Sequence, residues 1–103
     1  MSLPLVSLII LNYKRLPDLE HTLQSVVAQR YSHKEVIVVD NHSEEPVAAV
    51  VRKYGADVRL IELQTNLGAC GGRNAGILAS RGDIVITLDN DVSFLTHDAV
   101  DRV

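Results

Sequence analysis

Two hydrophobic periods alternate along this chain, and that alternation limits the folds open to it. Leu5 to Leu11 reads LVSLIIL, a short run of branched apolar residues that suits a strand buried on both faces. Asn12 to Arg15 is polar, and Pro17 then favours a helix start. Leu19, Leu23, Val26 and Val27 follow at i, i+4, i+7 and i+8, the spacing of one helical face. Glu35 to Asp40 (EVIVVD) is a second buried strand, ending on a carboxylate. After the polar residues Asn41 to Glu45, Pro46 opens a second helix with Val47, Val50, Val51 and Tyr54 as its stripe and Gly55 as its stop. Val58 to Leu63 (VRLIEL) alternates more, as a less buried or edge strand does. Gln64 to Gly72 reads as a polar, glycine-rich loop, and Arg73 to Ser80 as a third helix closed by Gly82. Asp83 to Leu88 (DIVITL) is a fourth strand, and Asp89-Asn90-Asp91 follows at once. A further helix is expected from Thr96, its cap, with Val100 and Val103 on one face.

Strand and helix thus alternate three times, ending in a fourth strand and part of a helix. That order predicts an α/β fold, an open and mostly parallel sheet with flanking helices and right-handed crossovers. In such sheets ligands bind beyond the carboxyl ends of the strands, so chemistry is expected at Asn12-Tyr13, Asp40-Asn41, Gln64 to Gly72 and Asp89-Asn90-Asp91. The 103 residues suggest one domain, and 47% hydrophobic content is enough for a core. A net charge of −3 without any basic run argues against a nucleic-acid partner. Cys70 is the sole cysteine, which suits a reducing compartment, and the apolar runs are too short for a transmembrane segment. The N-terminus lacks a secretory pattern, so the expected location is cytoplasmic.

Asp89 and Asp91 flank one residue directly after a strand. Carboxylate oxygens are hard donors suited to Mg²⁺ or Mn²⁺, which share such sites with substrate phosphates. A polar turn is the bland alternative. Asp40 ends a second strand of the same sheet, where an acid can hold a ribose hydroxyl or accept from a base; the alternative is an Asx turn with Asn41 to Ser43. Asn66 to Asn74 combines three glycines with Arg73, a setting that favours an anion near a helix N-terminus. It is not the dinucleotide fingerprint, which belongs after the first strand, and no phosphate-loop signature is present. Tyr13 can stack on a base or cover the sheet edge, and packing is the commoner fate of an aromatic there. His21, His33, His42 and His97 have no ligand spacing and read as surface residues, and Cys70 reads as a small packing residue.

Four segments together resemble glycosyltransferase family 2, the large inverting group with the GT-A fold. They are Val6 to Tyr13, Glu35 to Ser43, Asn66 to Ile77, and Gly82 to Asp91. Each is weak alone, but the four stand in the family's order at about the family's spacing, from about Pro4 to Val92. The resemblance implies transfer of a sugar from a UDP- or dTDP-type nucleotide donor to a saccharide or other hydroxyl acceptor. It puts Tyr13 against the base, Asp40 on the base, Arg73 near the nucleotide, Asp89 toward the ribose, and Asp91, with Asp89, on a Mn²⁺ or Mg²⁺ ion.

The family's general base lies in an acceptor half well beyond Asp-X-Asp. Residues 1–103 are therefore expected to be a single partial domain, the nucleotide-sugar-binding half of a GT-A enzyme with the acceptor half absent, and inactive alone. The parent enzyme is expected in the cytoplasm or at the cytoplasmic membrane face. A stand-alone nucleotide-sugar-binding module is the alternative. A sugar-nucleotidyltransferase ranks lower, because Lys14 and Arg15 come without the glycine-rich signature of that class. If the fourth strand borders the first, its outer edge lacks a neighbour, and self-association through that edge or an apolar face is expected.

Overall fold

The computed structural model describes residues 3–89. Four strands, β1 (Val6–Asn12), β2 (Lys34–Asp40), β3 (Val58–Glu62) and β4 (Ile84–Asp89), form one sheet in the order β3-β2-β1-β4. Every neighbouring pair is parallel. The α/β class and the parallel sheet are as the alternating periods predict. The expected helix after Thr96 lies outside the described residues, as do Asn90, Asp91 and His97.

Successive strand residues point to opposite faces, so the sheet divides the core in two. On one face Val6, Leu8 and Ile10 of β1 and Val36 and Val38 of β2 meet helices α1 (Leu16–Val27) and α2 (Val47–Arg52), through Leu19, Leu23, Val26, Val47, Val50 and Val51. On the other face Ile9, Ile37 and Val39 meet helix α3 (Gly68–Ala79) through Ala75 and Ala79. β1 and β2 are buried on both faces, which is why their sequences are continuous apolar runs rather than alternating ones. Fully burying one such Leu or Ile contributes roughly 1.5–3 kcal/mol. β3 is an edge strand and less buried, as its alternation foretells.

α1 begins after Arg15, which has a left-handed backbone and no side-chain cap bond; Pro17 sits in the first turn and the Arg15 carbonyl accepts the first helical N–H groups. The expected stop of α2 at Gly55 is displaced. The helix ends at Arg52, and Gly55, with φ 67°, instead opens a short 3₁₀ turn, Gly55–Asp57, that leads into β3.

The third helix departs most from expectation. It starts at Gly68 rather than Arg73, so Gly71 and Gly72 are helical and not part of a loop. The glycines serve packing instead of flexibility. A Cβ at Gly76 would lie 2.4 Å from Ile9 Cγ2 and 3.1 Å from Val39 Cγ2, so only a bare backbone lets α3 settle this closely on the sheet. Gly82 does not close α3, which ends at Ala79. It lies against Ser7 and the Leu5 carbonyl, where its N–H donates to Ser7 Oγ at 2.8 Å.

At the amino ends of the strands, Glu35 ties several elements together. It accepts hydrogen bonds from Ser7 Oγ and the Arg81 N–H, and pairs with Arg59 at 3.0 Å. Arg59 also donates to the Ala79 carbonyl at the end of α3. Among the described residues no helix is long and apolar enough to cross a membrane.

Candidate donor-binding cleft

α1 and α2 lie on one face of the sheet and α3 on the other, so the chain changes side between β1 and β4. A crevice opens at the carboxyl ends of strands flanking such a switch. Here a cleft of about 430 Å³ occupies that place. Its walls are Leu11, Asn12, Tyr13 and Arg15 from β1 and the loop after it, Asn41 after β2, Asn66, Gly68 and Ala69 at the start of α3, and Asp89 at the end of β4.

Buried polar residues concentrate beneath this cleft. Of the seven among the described residues, Asn12, Asp40, Asn41 and Ser43 all sit at the carboxyl ends of β1 and β2. A buried polar group is tolerated only when hydrogen-bonded, and these are. Asp40 Oδ1 accepts from Asn12 Nδ2 at 2.9 Å and from Ser43 Oγ; Asp40 Oδ2 accepts the Ser43 N–H at 3.3 Å. Ser43 Oγ in turn accepts the Lys14 N–H at 2.7 Å. The loops after β1 and β2 are thereby latched together. The latch holds an unusual backbone, because Lys14, Arg15, His42 and Glu44 all have φ between 57° and 65°. A non-glycine residue there carries about 1–2 kcal/mol of strain.

Tyr13 lines the cleft and is exposed, with Lys14 Nζ 5.4 Å from the ring centroid. It does not pack over the sheet edge, the commoner fate of an aromatic there. Asp89 is exposed, also lines the cleft, and lies beside Leu11 in the strand register. Arg15, on the cleft wall, pairs with Asp18 at 3.0 Å. The structure thus brings Tyr13 and Asp89 to one cleft. Asp40 lies below it, 4% exposed, and makes the Asx-type contact with Ser43. Arg73 lies in the second turn of α3, away from the cleft lining; its Nε is buried without a hydrogen-bond partner. Asp91 falls outside the described residues. His21, His33 and His42 are on the surface as expected, whereas Cys70 is exposed rather than packed.

The sequence marks Asn41 as part of the polar end of β2 and Ser43 as an Asx-turn partner of Asp40, but gives no sign of what the Asn41 side chain reaches. Asn41 is 6% exposed and spans from β2 to the start of α3: its Oδ1 accepts the Leu67 N–H at 2.8 Å and its Nδ2 donates to the Gly68 carbonyl at 2.9 Å.

A parallel sheet with a cleft at its switch point defines an open α/β protein of the nucleotide-binding kind. Comparison with known proteins takes this further: residues 7–100 match the model of Glycosyl transferase family 2, and the chain belongs to that family. It is 37% identical over 91 residues to an uncharacterized glycosyltransferase of Haemophilus influenzae, covering 88% of this chain and 31% of that protein. It is also 37% identical over 89 residues to the succinoglycan biosynthesis protein ExoO of Rhizobium meliloti, covering 85% of this chain and 26% of that one. Among solved structures, the mannosyltransferase PcManGT of Pyrobaculum calidifontis, in complex with GDP-Man and Mn²⁺, superposes with a TM-score of 0.87 at 27% identity, covering 94% of this chain and 30% of that one. S. aureus TarS 1-349 in complex with UDP-GlcNAc gives 0.74 at 27% identity, over 84% and 26%. The chain therefore spans about a third or less of the length of these relatives.

Proposed function

We propose that the cleft at the carboxyl ends of β1 and β4 binds the nucleotide-diphosphate sugar donor, of UDP or dTDP type, for inverting transfer of the sugar to an acceptor hydroxyl. The observation that carries this reading is the convergence of Tyr13 and Asp89 on one cleft at the sheet's switch point. The exposed Tyr13 ring can stack on a base, and Asp40, whose Oδ2 accepts the Ser43 N–H at 3.3 Å, meets the base edge from below. Asp89 faces the ribose. The family resemblance puts Arg73 near the nucleotide, and its charge acts there from the second turn of α3, outside the cleft lining.

A Mn²⁺ or Mg²⁺ ion fits this donor set. Asp89 presents hard carboxylate oxygen at the rim, Asp91 follows two residues later in sequence, and such ions complete their shells with substrate phosphate oxygens. When bound, the cation offsets charge developing on the departing diphosphate. The general base that the family resemblance implies falls after Asp91, and no residue of the cleft is proposed for that role.

The test is equilibrium binding of UDP, dTDP and GDP to the purified chain in the presence of Mn²⁺, repeated with Asp91→Ala. Binding of UDP or dTDP, weakened at least tenfold by the substitution, supports the reading. Preference for GDP overturns the base assignment alone, and binding of none of the three overturns the donor site.

Self-association belongs to the same proposal. The outer edge of β4 has no partner among the described residues, and Val85 on that strand and Leu78 on α3 are exposed. A mass above that of one chain by light scattering at high concentration is expected; a single-chain mass refutes it.

A further inference from the structure

Asn41 follows β2 directly, and its backbone N–H donates to the Asn12 carbonyl at 2.8 Å, extending the β1–β2 ladder by one bond. Its side chain leaves that ladder and crosses to a segment 26 residues further along the chain. There it makes two bonds of opposite polarity to consecutive residues, accepting from the Leu67 N–H and donating to the Gly68 carbonyl. Only a group with an acceptor and a donor side by side satisfies both, which is the property of a carboxamide. Gly72, one turn into α3, keeps room for it, since a Cβ there would come within 3.3 Å of Asn41 Nδ2.

The clamped segment is the start of α3, and among the described residues the Asn41 amide bonds it to the end of β2. Leu67 is the N-cap residue and has no side-chain cap bond, while Gly68 has φ 74° and donates its N–H to Asn66 Oδ1. Gly68 and Ala69 form one wall of the cleft; Leu11 to Tyr13 contribute the other. The Asn41 amide is the direct tie between these walls, because its backbone is bonded to β1 and its side chain to α3.

We propose that Asn41 is a positioning residue for the donor: it fixes the first turn of α3 at the distance from Tyr13 that the nucleotide requires. This inference rests on the reading of the cleft as the donor site. It assigns to Asn41 the setting of cleft width, a role distinct from contact with the base or the cation.

The test uses Asn41→Asp, which keeps the shape and the acceptor, removes the donor, and sets a second oxygen against the Gly68 carbonyl. Asn41→Ser, able to reach one partner only, serves if the Asp variant does not fold. Val50→Ala, in the core on the opposite face of the sheet, is the control for general destabilisation. Amide hydrogen exchange of the nucleotide-free chain is expected to be at least tenfold faster at Leu67 in the Asn41 variant. Affinity for UDP or GDP with Mn²⁺ is expected to fall at least tenfold, with Val50→Ala within twofold of the parent. Nucleotide binding by the variant within twofold of the parent overturns the inference alone, as does an equal loss in Val50→Ala. A parent chain that binds neither nucleotide overturns the donor reading and this inference with it.

Discussion

Asn12 and Asp40 are register partners at the ends of adjacent strands, and the Asn12 carboxamide donates to Asp40 Oδ1 at 2.9 Å in a buried setting. This bond holds a carboxylate beneath the cleft, with Oδ2 accepting the Ser43 N–H at 3.3 Å. Replacing Asn12 with Ala leaves the buried carboxylate short of a donor, which costs roughly 1–3 kcal/mol. Urea unfolding of Asn12→Ala is expected to show that loss. A change below about 0.5 kcal/mol, the range of an ordinary surface substitution, contradicts it.

Close approach of α3 to the sheet depends on Gly76. Alanine gains up to about 1 kcal/mol in helix propensity over glycine, which on its own predicts stabilisation by Gly76→Ala. Against that, the new methyl would stand 2.4 Å from Ile9 Cγ2, and Ile9 is fully buried with no room to yield. Overpacking of this kind costs about 1–3 kcal/mol and outweighs the propensity gain. Thermal denaturation should give a lower Tm for the variant; an equal or higher Tm refutes the packing explanation.

Glu35 makes the fold sensitive to acid. Burial alone pushes its carboxyl up, but the hydrogen bonds from Ser7 and the Arg81 N–H, together with the Arg59 charge and hydrogen bond, outweigh it and hold the group below its ordinary value of 4.5. A carboxyl depressed by folding contributes stability that is fully present above its unfolded value and is lost as pH falls through the folded value. Stability is therefore expected to decline below about pH 4.5 in the parent, and the Glu35→Gln variant to show a shallower decline over the same window. Parallel profiles for the two proteins would remove Glu35 as the source.

Tyr13 offers an exposed ring at the cleft, and stacking of a base on an aromatic ring is worth about 1–3 kcal/mol. Tyr13→Ala should weaken nucleotide binding by about 5-fold to 150-fold, in keeping with that energy. Tyr13→Phe, which retains the ring, should stay close to the parent. Equal losses in both variants would instead assign the effect to the hydroxyl.

The strands and their order of appearance are legible because β1 and β2 are buried on both faces and must be apolar throughout. The start of α3 is not, because Gly68, Gly71 and Gly72 are poor helix formers and read as a loop; close approach of Gly72 to Leu11 and Asn41 overrides that propensity. In the site, Tyr13 and Asp89 were accessible to reasoning because they end strands at a switch point. The long-range partners of Asn41 and Ser43 were not, since Leu67 and Lys14 lie 26 and 29 residues away. No local pattern announces such a pairing.

Calorimetric titration of the chain with UDP, with Mn²⁺ and again with the metal chelated, addresses the donor site itself. Binding that requires the metal, and that Asp89→Asn reduces at least tenfold, is the expected result. Binding that is unchanged by chelation and by Asp89→Asn contradicts the roles given to Asp89 and the cation, and no binding of UDP, dTDP or GDP under any of these conditions contradicts the donor site as a whole.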